Sequence, residues 1–410
     1  MGNSTAKKIE DIIMVTTKSN KKSKEPFLKN FFIFVLLLTF IAFVSAVLYI
    51  NKKGIDVSKM SFDDIIRAVS NKEYILESNP GEVKSIYYDE NKIQVIDSHK
   101  GSIITVSRNA VNSIDEKGKT IWEKEVELQK EPFIKSKGEK ILVADISGKN
   151  IYVIEKGRMK WENSFENNII SVDINEKGYV SVIVDEKGSN GVLYVYDSMG
   201  IEIMRIKRGE YNLVSSVVSG RGESVIFSIV DVSGIVPKST IEVLSSKGIK
   251  VSSIMIEDVI ISHLEQMDNK MVFAIGNSTV LLIDNNGKEL WKKNYKDSYI
   301  LGISVLDGKY PVIALETIEK DFFMKKKYSV LVFNHRGNII DEVVLEDKIN
   351  SFDASENIIA INTNEQIIIF NTKENSTKKF ENCNVKKVLV LNKSKVAYIE
   401  KNKINIMDIK

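Results

Sequence analysis

Cysteine is all but missing from this sequence. The single Cys383 among 410 residues excludes an intramolecular disulfide and any C-x-x-C pair for zinc or redox work. Its setting, Glu381-Asn382-Cys383-Asn384 near a strand edge, fits a half-buried thiol acting as a small hydrophobe. Proline is scarce at 5 residues and glycine modest at 22, which excludes collagen-like repeats and proline-rich linkers. An excess of either charge is missing as well. The 58 basic residues face 55 acidic ones, a formal net charge of +3, so the chain carries no electrostatic footprint for nucleic acid. There are three histidines, His99, His263 and His335, far apart and without His or Cys at ligand spacing. Walker loops, the dinucleotide glycine fingerprint, the G-x-S-x-G elbow and Ca²⁺ loops are all absent. These absences predict a chain with no catalytic residues, no metal and no cofactor.

What is present starts with apolar content. Hydrophobic residues make up 43% and charged residues 28%, enough to build a packed core. One long run, Phe31 to Ile50, holds no charge, proline or glycine. Twenty helical residues rise about 30 Å, the thickness of a bilayer core. Phe31, Phe32 and Tyr49 stand at its two ends as interfacial aromatics do. Five lysines precede it (Lys18, Lys21, Lys22, Lys24, Lys29) and three follow (Lys52, Lys53, Lys59). That bias predicts a cytoplasmic tail over 1–30 and an extracytoplasmic carboxyl domain, in a single-pass protein of the cell membrane. The rival reading is a cleavable signal peptide cut near Val44-Ser45-Ala46, but the run is longer than a usual signal core. A myristoylation signal fails because position six is Ala6. Ile9, Ile12, Ile13 and Val15 make at most one amphipathic turn in an otherwise polar tail. Residues 51–81 read as a stalk. Ser61 and Asp64 frame a capping box for a short helix over Phe62–Val69, and Asn79-Pro80-Gly81 turns the chain.

From residue 82 the texture changes to short Ile, Val, Tyr and Phe runs separated by turn residues, which is strand patterning. One motif recurs: Ile114-Asp115 through Gly118 to Trp122 matches Ile283-Asp284 through Gly287 to Trp291, with a weaker copy around Gly157 and Trp161. Related turns without Trp carry Asp197 and Gly200, then Gly248, Gly337 and Asn375. The turn glycines are spaced by 39, 43, 48, 39 and 50 residues, and Asn375 follows after 38 more. Periods of that length in an all-strand chain mean propeller blades of about four strands. The motif has a local logic. Asp caps the turn through its side chain, Gly supplies a positive φ, and Trp sets a large ring between blades.

Asp284, Gly287, Lys288 and Trp291, and next Asp115, Gly118, Lys119 and Trp122, resemble the repeat of the PQQ-like, or quinoprotein-type, β-propeller family. The resemblance covers roughly residues 82–410 and implies an all-β propeller. The chain also looks similar to uncharacterised single-pass envelope proteins that carry such a propeller. It departs from the repeat where Met204 and Asp341 occupy the Trp slot. Seven turns are visible, followed by three strand-like runs to the C-terminus. Val83 to Tyr88 is a free strand able to complete that last blade and remove its open edge. The expected domain is an eight-bladed propeller over 82–410, with seven blades as the alternative.

Other candidate residues are thin. Asp231, Asp258, Asp307 and Asp353 near strand ends suggest one rim, although turn caps explain them as well. Gly220-Arg221-Gly222 reads as a turn, and Lys325-Lys326-Lys327 is the most basic spot of the domain. The expectation is a non-enzymatic platform in the envelope for proteins or cell-wall ligands, with no nucleic-acid partner. The alternatives are a glycan- or peptide-sensing receptor and a quinone-dependent dehydrogenase. The latter needs a Ca²⁺-type oxygen cage and aromatic packing, against 8% aromatics here.

Overall fold

The computed structural model describes residues 83–409 except 210, 268–269, 319–324 and 382–383, the strand Tyr74–Glu77, and Leu37, Phe40, Val44 and Ser45. Those four isolated residues are helical. The remaining residues of the 31–50 span, the 62–69 helix, the 79–81 turn and Cys383 lie outside the described residues. Among the described residues no helix is long and apolar enough to cross a membrane. The chain divides into two compact units, 1–74 and 75–410, and the sheets belong to the second.

Alternation in the sequence becomes antiparallel strands. Ile93–His99, Ser102–Ser107, Ala110–Ile114 and Thr120–Glu125 form sheet one, each strand paired to the next. The same meander repeats over 131–164, 169–207, 212–257, 261–294, 298–345 and 349–381, giving sheets two to seven. Sheets two and three touch through one parallel bridge, Ile169 to Ile146. Sheet eight differs in origin. Its first three strands, Lys387–Asn392, Lys395–Glu400 and Lys403–Asp408, end the chain, and its fourth is Val83–Tyr87 from the start of the domain. The free strand read from the sequence therefore fills the position left open at the C-terminus. Tyr74–Glu77 adds a fifth strand beyond Ser376–Glu381 in sheet seven, inside the stretch read as stalk.

The central strands are buried on both faces, which is why they are mostly apolar: Val180–Val184 is buried at all five positions, Ser181 included. The cover comes from the neighbouring sheets. Ile104, Val106 and Val111 of sheet one pack with Ile141, Val143 and Ile154 of sheet two. Seven such clusters run in order from sheet one to sheet eight. An eighth joins the end to the beginning, with Leu389, Ala397, Ile399, Ile404 and Ile406 of sheet eight against Ile96 and Ile103 of sheet one. Polar ties reinforce that junction. Lys387 Nζ donates to the Ile96 carbonyl at 2.9 Å, Ser98 Oγ to the Val390 carbonyl at 3.4 Å, and Lys395 pairs with Glu116.

Ile404 has no exposed surface and belongs to this last-to-first cluster. Ile404→Ala is expected to destabilise the whole domain by about 2–5 kcal/mol in a single urea transition. A loss confined to sheet eight, with the other sheets unfolding unchanged, would show that the junction does not hold the domain together.

Candidate functional site

The turn residues come first, since they set the strands' spacing. Asp115 Oδ1 accepts the Lys117 and Lys119 amides at 2.8 and 2.9 Å, and these backbone bonds hold its carboxyl below the ordinary value. Asp197 takes Met199 and Ile201 in the same way, and Asp284 takes Asn286 and Lys288. Gly118, Gly200, Gly248, Gly287 and Gly337 all sit at positive φ, and Asn375 does so at φ 51° in place of a glycine. The turn at Gly157 differs. Lys156 and Gly157 both have positive φ between the paired residues Glu155 and Arg158, a two-residue hairpin rather than a capped loop.

The tryptophans lie on fourth strands and meet the turn of the following sheet. A Cβ on Gly157 would fall 2.7 Å from Trp122, one on Gly200 2.7 Å from Trp161, and one on Gly337 2.8 Å from Trp291. Glycine thus serves two ends at these turns, the positive φ and the seat for an indole ring. Met204 and Asp341 occupy the matching registers in their sheets, opposite Val195 and Val332. Met204 packs in the cluster between sheets three and four, and burial raises the Asp341 carboxyl.

The remaining sequence candidates scatter. Asp231 accepts from its neighbour Ser233, Asp258 and Asp307 take positive-φ turn conformations, and Asp353 lies inside a first strand. Among the described residues no hydrogen bond or ion pair joins any two of these four. The one-rim expectation fails because Asp307 lies in a turn between first and second strands, at the opposite end of the meander from the loops that carry Asp231 and Asp258, and Asp353 lies inside a strand. His335 stacks on Tyr310, with ring centres 5.7 Å apart. Burial lowers the pKa of His99. Gly220 and Gly222 bracket a turn in which Glu223 accepts the Arg221 amide at 2.5 Å. Lys325 and Lys326 pair with Glu346 and Glu316. Among the described residues no group of three or more His, Cys, Asp or Glu is placed to hold a metal.

The charged site that the structure does assemble was missed in the sequence. Lys135 and Lys137 stand on Glu131–Lys137, Asp173 on Ile169–Ile174, and His263 and Glu265 on Ile261–Gln266, the first strands of sheets two, three and five. Lys135 Nζ donates to Asp173 Oδ1 at 2.5 Å and to Glu265 Oε2 at 2.6 Å. Lys137 Nζ lies 2.6 Å from Glu265 Oε1, and His263 Nε2 lies 3.4 Å from Oε2. The Lys135, Asp173 and Glu265 side chains are only 13, 5 and 10% exposed. Burial opposes the charge on Lys135, but Asp173 and Glu265 outweigh it and raise its pKa above the ordinary lysine value. Burial likewise opposes the charge on Glu265, where Lys135 and Lys137 prevail and hold it well below its usual range. For Asp173 burial wins and its carboxyl rises despite Lys135.

This cluster carries geometric information. Sheets packed face to face stand about 10 Å apart, so a straight stack would hold sheets two and five about 30 Å apart. A lysine that reaches both sheet three and sheet five requires the first strands to bend around a common axis. A second group on first strands supports this. Asp353 of sheet seven accepts the Val390 amide of sheet eight at 2.8 Å, beside Lys387 and Asp97 of sheets eight and one. Burial pushes the Asp353 carboxyl up to about 6, with the Asp97 charge adding to it.

Residues 70–409 match the model of a family of unknown function, DUF5711. The chain belongs to that family. No curated protein matches this DUF5711 chain in sequence. Among solved structures it is similar to the C-terminal WD40 domain of Sif2, at 12% identity and a TM-score of 0.55, covering 80% of this chain and all of that one. It is also similar to the β-propeller domain of Cps50 (Swd1) from Myceliophthora thermophila, at 11% identity and TM-score 0.44 over 80% and 100% of the two chains. The Pan2 WD40 domain of Neurospora crassa shows 11% identity and TM-score 0.44 over 68% and 88%. At such identities the likeness to Sif2 shows the fold alone: a WD40-like β-propeller architecture. The quinoprotein-type resemblance rests on the turn motif.

Two predictions follow from the first-strand charges. Lys135→Met leaves Asp173 buried without its lysine, while Lys137 stays on Glu265, and is expected to cost about 3–5 kcal/mol in urea denaturation. A cost near zero would mean the carboxylates find other partners. For Asp353, the folded pKa stands above the unfolded value of about 3.9, so the native state holds the proton more tightly. Its contribution therefore favours folding at low pH and fades as pH rises from about 4 to about 6. Asp353→Asn should match the wild type near the bottom of that window and exceed it above the top, read from urea midpoints across the range. Parallel profiles would contradict this account of the carboxyl.

Proposed function

We propose that this chain is a membrane-anchored propeller whose eight sheets close into one ring, and that it serves as a non-enzymatic interaction platform outside the cytoplasm. The observation that carries the reading is a pair of contacts between sheets far apart in chain order. Charged side chains from first strands of sheets two, three and five satisfy one another, and sheet eight packs on sheet one. With first-strand charges committed to each other, contact with partners falls to the connecting loops and the outer strands. These surfaces are rigidly presented, which lowers the ordering cost of binding. A groove of about 910 Å³ runs along one such rim, past Glu257, Asp258, Asn277, Lys296 and Tyr299. The uncharged run Phe31 to Ile50 and the lysines before it support the anchor and the orientation. Envelope proteins or cell-wall ligands are the partners this placement implies.

Lys247 lies exposed in a hairpin and gives a direct test. In a Cys383→Ser background, Lys247→Cys is expected to react with a membrane-impermeant maleimide in intact cells. Labelling only after lysis would overturn the extracytoplasmic placement. A photo-crosslinking residue at Ile235, the exposed tip of another loop, is expected to give a discrete adduct in the same cells. Absence of adducts there and at the other rim loops would overturn the platform reading.

A further inference from the structure

The turns between third and fourth strands gather at one end of the domain. Five of them seat on the fourth strand of the sheet before: Gly118 on Ile86 of sheet eight, Gly157 on Trp122, Gly200 on Trp161, Gly287 on Ser252 and Gly337 on Trp291. Gly222, in the first-to-second turn of sheet four, meets Ile203 of sheet three at the same end. Three positions after the turn glycine, on the outer strand, an aliphatic side chain is left in solvent. It is Ile121 in sheet one, Ile203 in sheet three, Val251 in sheet four, Leu290 in sheet five and Ile340 in sheet six, each between 42 and 58% exposed. Sheets two and seven have Lys160 and Lys378 there, the latter counted from Asn375. Met199 and Ile201 flank Gly200 and Ile249 follows Gly248, at 61, 62 and 64% exposure. Apolar groups that recur at one end of neighbouring sheets form a patch, unlike the single scatter of an ordinary surface. Basic residues stand among them. Lys117, Lys119, Lys247, Lys288 and Arg336 lie next to a turn glycine, and all are exposed. The acids of these turns are largely engaged. Asp115, Asp197 and Asp284 accept their own turn amides, Glu116 pairs with Lys395 and Glu202 with Arg205, while Glu289 stands against the lysines.

We propose that this end of the domain rests on the lipid surface in which the chain is anchored. The inference depends on reading Phe31 to Ile50 as a membrane span, and it adds which end of the domain faces that membrane. The chain enters sheet eight at Val83, the first residue of a fourth strand, paired with Met407 near the end of the third and therefore at this same end. About 30 residues separate Ile50 from it, a reach of at most about 120 Å when fully extended. A surface tethered that close is met at high effective concentration, so weak contacts suffice to hold it. Aliphatic side chains interleaved with Lys and Arg are the composition that settles into the headgroup boundary, drawn by anionic lipids. The basic groups stay at headgroup level, in contact with water. The aliphatic groups are spread over separate sheets, which a broad flat partner can touch together. The opposite end, with Ile235 in its second-to-third loop, is left to the partners of the platform.

The full chain carrying Cys383→Ser, reconstituted in vesicles of phosphatidylcholine and phosphatidylglycerol, gives the test. An environment-sensitive fluorophore on Ile201→Cys or Ile249→Cys is expected to be quenched by nitroxide lipids. The same fluorophore on Ile235→Cys is expected to stay unquenched. Adding Lys247→Glu, Lys288→Glu and Arg336→Glu together is expected to abolish the quenching at Ile201→Cys, with unchanged circular dichroism. Vesicle flotation separates the two readings. Protein that floats but shows no quenching at Ile201→Cys and Ile249→Cys, equal quenching at Ile235→Cys, or full quenching in the triple Glu variant overturns the docking and leaves the anchor standing. Protein that does not float overturns the anchor, and the docking with it.

Discussion

A four-stranded sheet that is apolar on both faces cannot stand alone in water. That constraint organises this domain. Strands such as Val180–Val184 and Ser224–Asp231, buried over almost their whole length, leave no side of their sheets that tolerates solvent. Each sheet therefore needs cover on both sides, and the first and last sheets pack against each other. The cluster of Ile96 and Ile103 with Leu389, Ile399, Ile404 and Ile406 is the result. The N-terminal strand in sheet eight serves the same end, because it pairs the chain's final strand with residues more than three hundred positions away.

Packing of this kind is non-directional, and it leaves the middle of the arrangement unspecified. Side chains on the first strands face one another there, and polar ones must find partners. Lys135 between Asp173 and Glu265 is the most heavily buried solution. Paired charges of this type add little net stability over a well-packed apolar core, since desolvation offsets most of the attraction. Their value lies in geometry: an ion pair at 2.6 Å fixes which first strand stands across from which, where apolar contacts would allow sliding.

Much of the repeat was legible because it is local. Asp115, Asp197 and Asp284 cap their own turns through backbone amides two and four residues on, so the motif is complete within a short window. The Gly157 turn was grouped with them through its Trp, yet it is a different hairpin, since the same ring contact can be met from a tighter turn. The charged cluster was illegible for the opposite reason. Lys135 and Glu265 are 130 positions apart, and each looks like an ordinary strand charge until the fold brings them together. Asp353 misled in the same way, read as a rim residue while it sits in a packed junction.

Sequence alone determined what depends on near neighbours: strand alternation, the capped turns, the repeat length, and the free strand at 83–88 that the last blade lacked. It also determined the long uncharged run near the N-terminus. Tertiary structure alone decided which first strands face each other and which buried charges are paired. The physical reason is range. Backbone turns and pleats are set by contacts a few residues long, whereas ion pairs and sheet faces are set by how all the sheets pack at once.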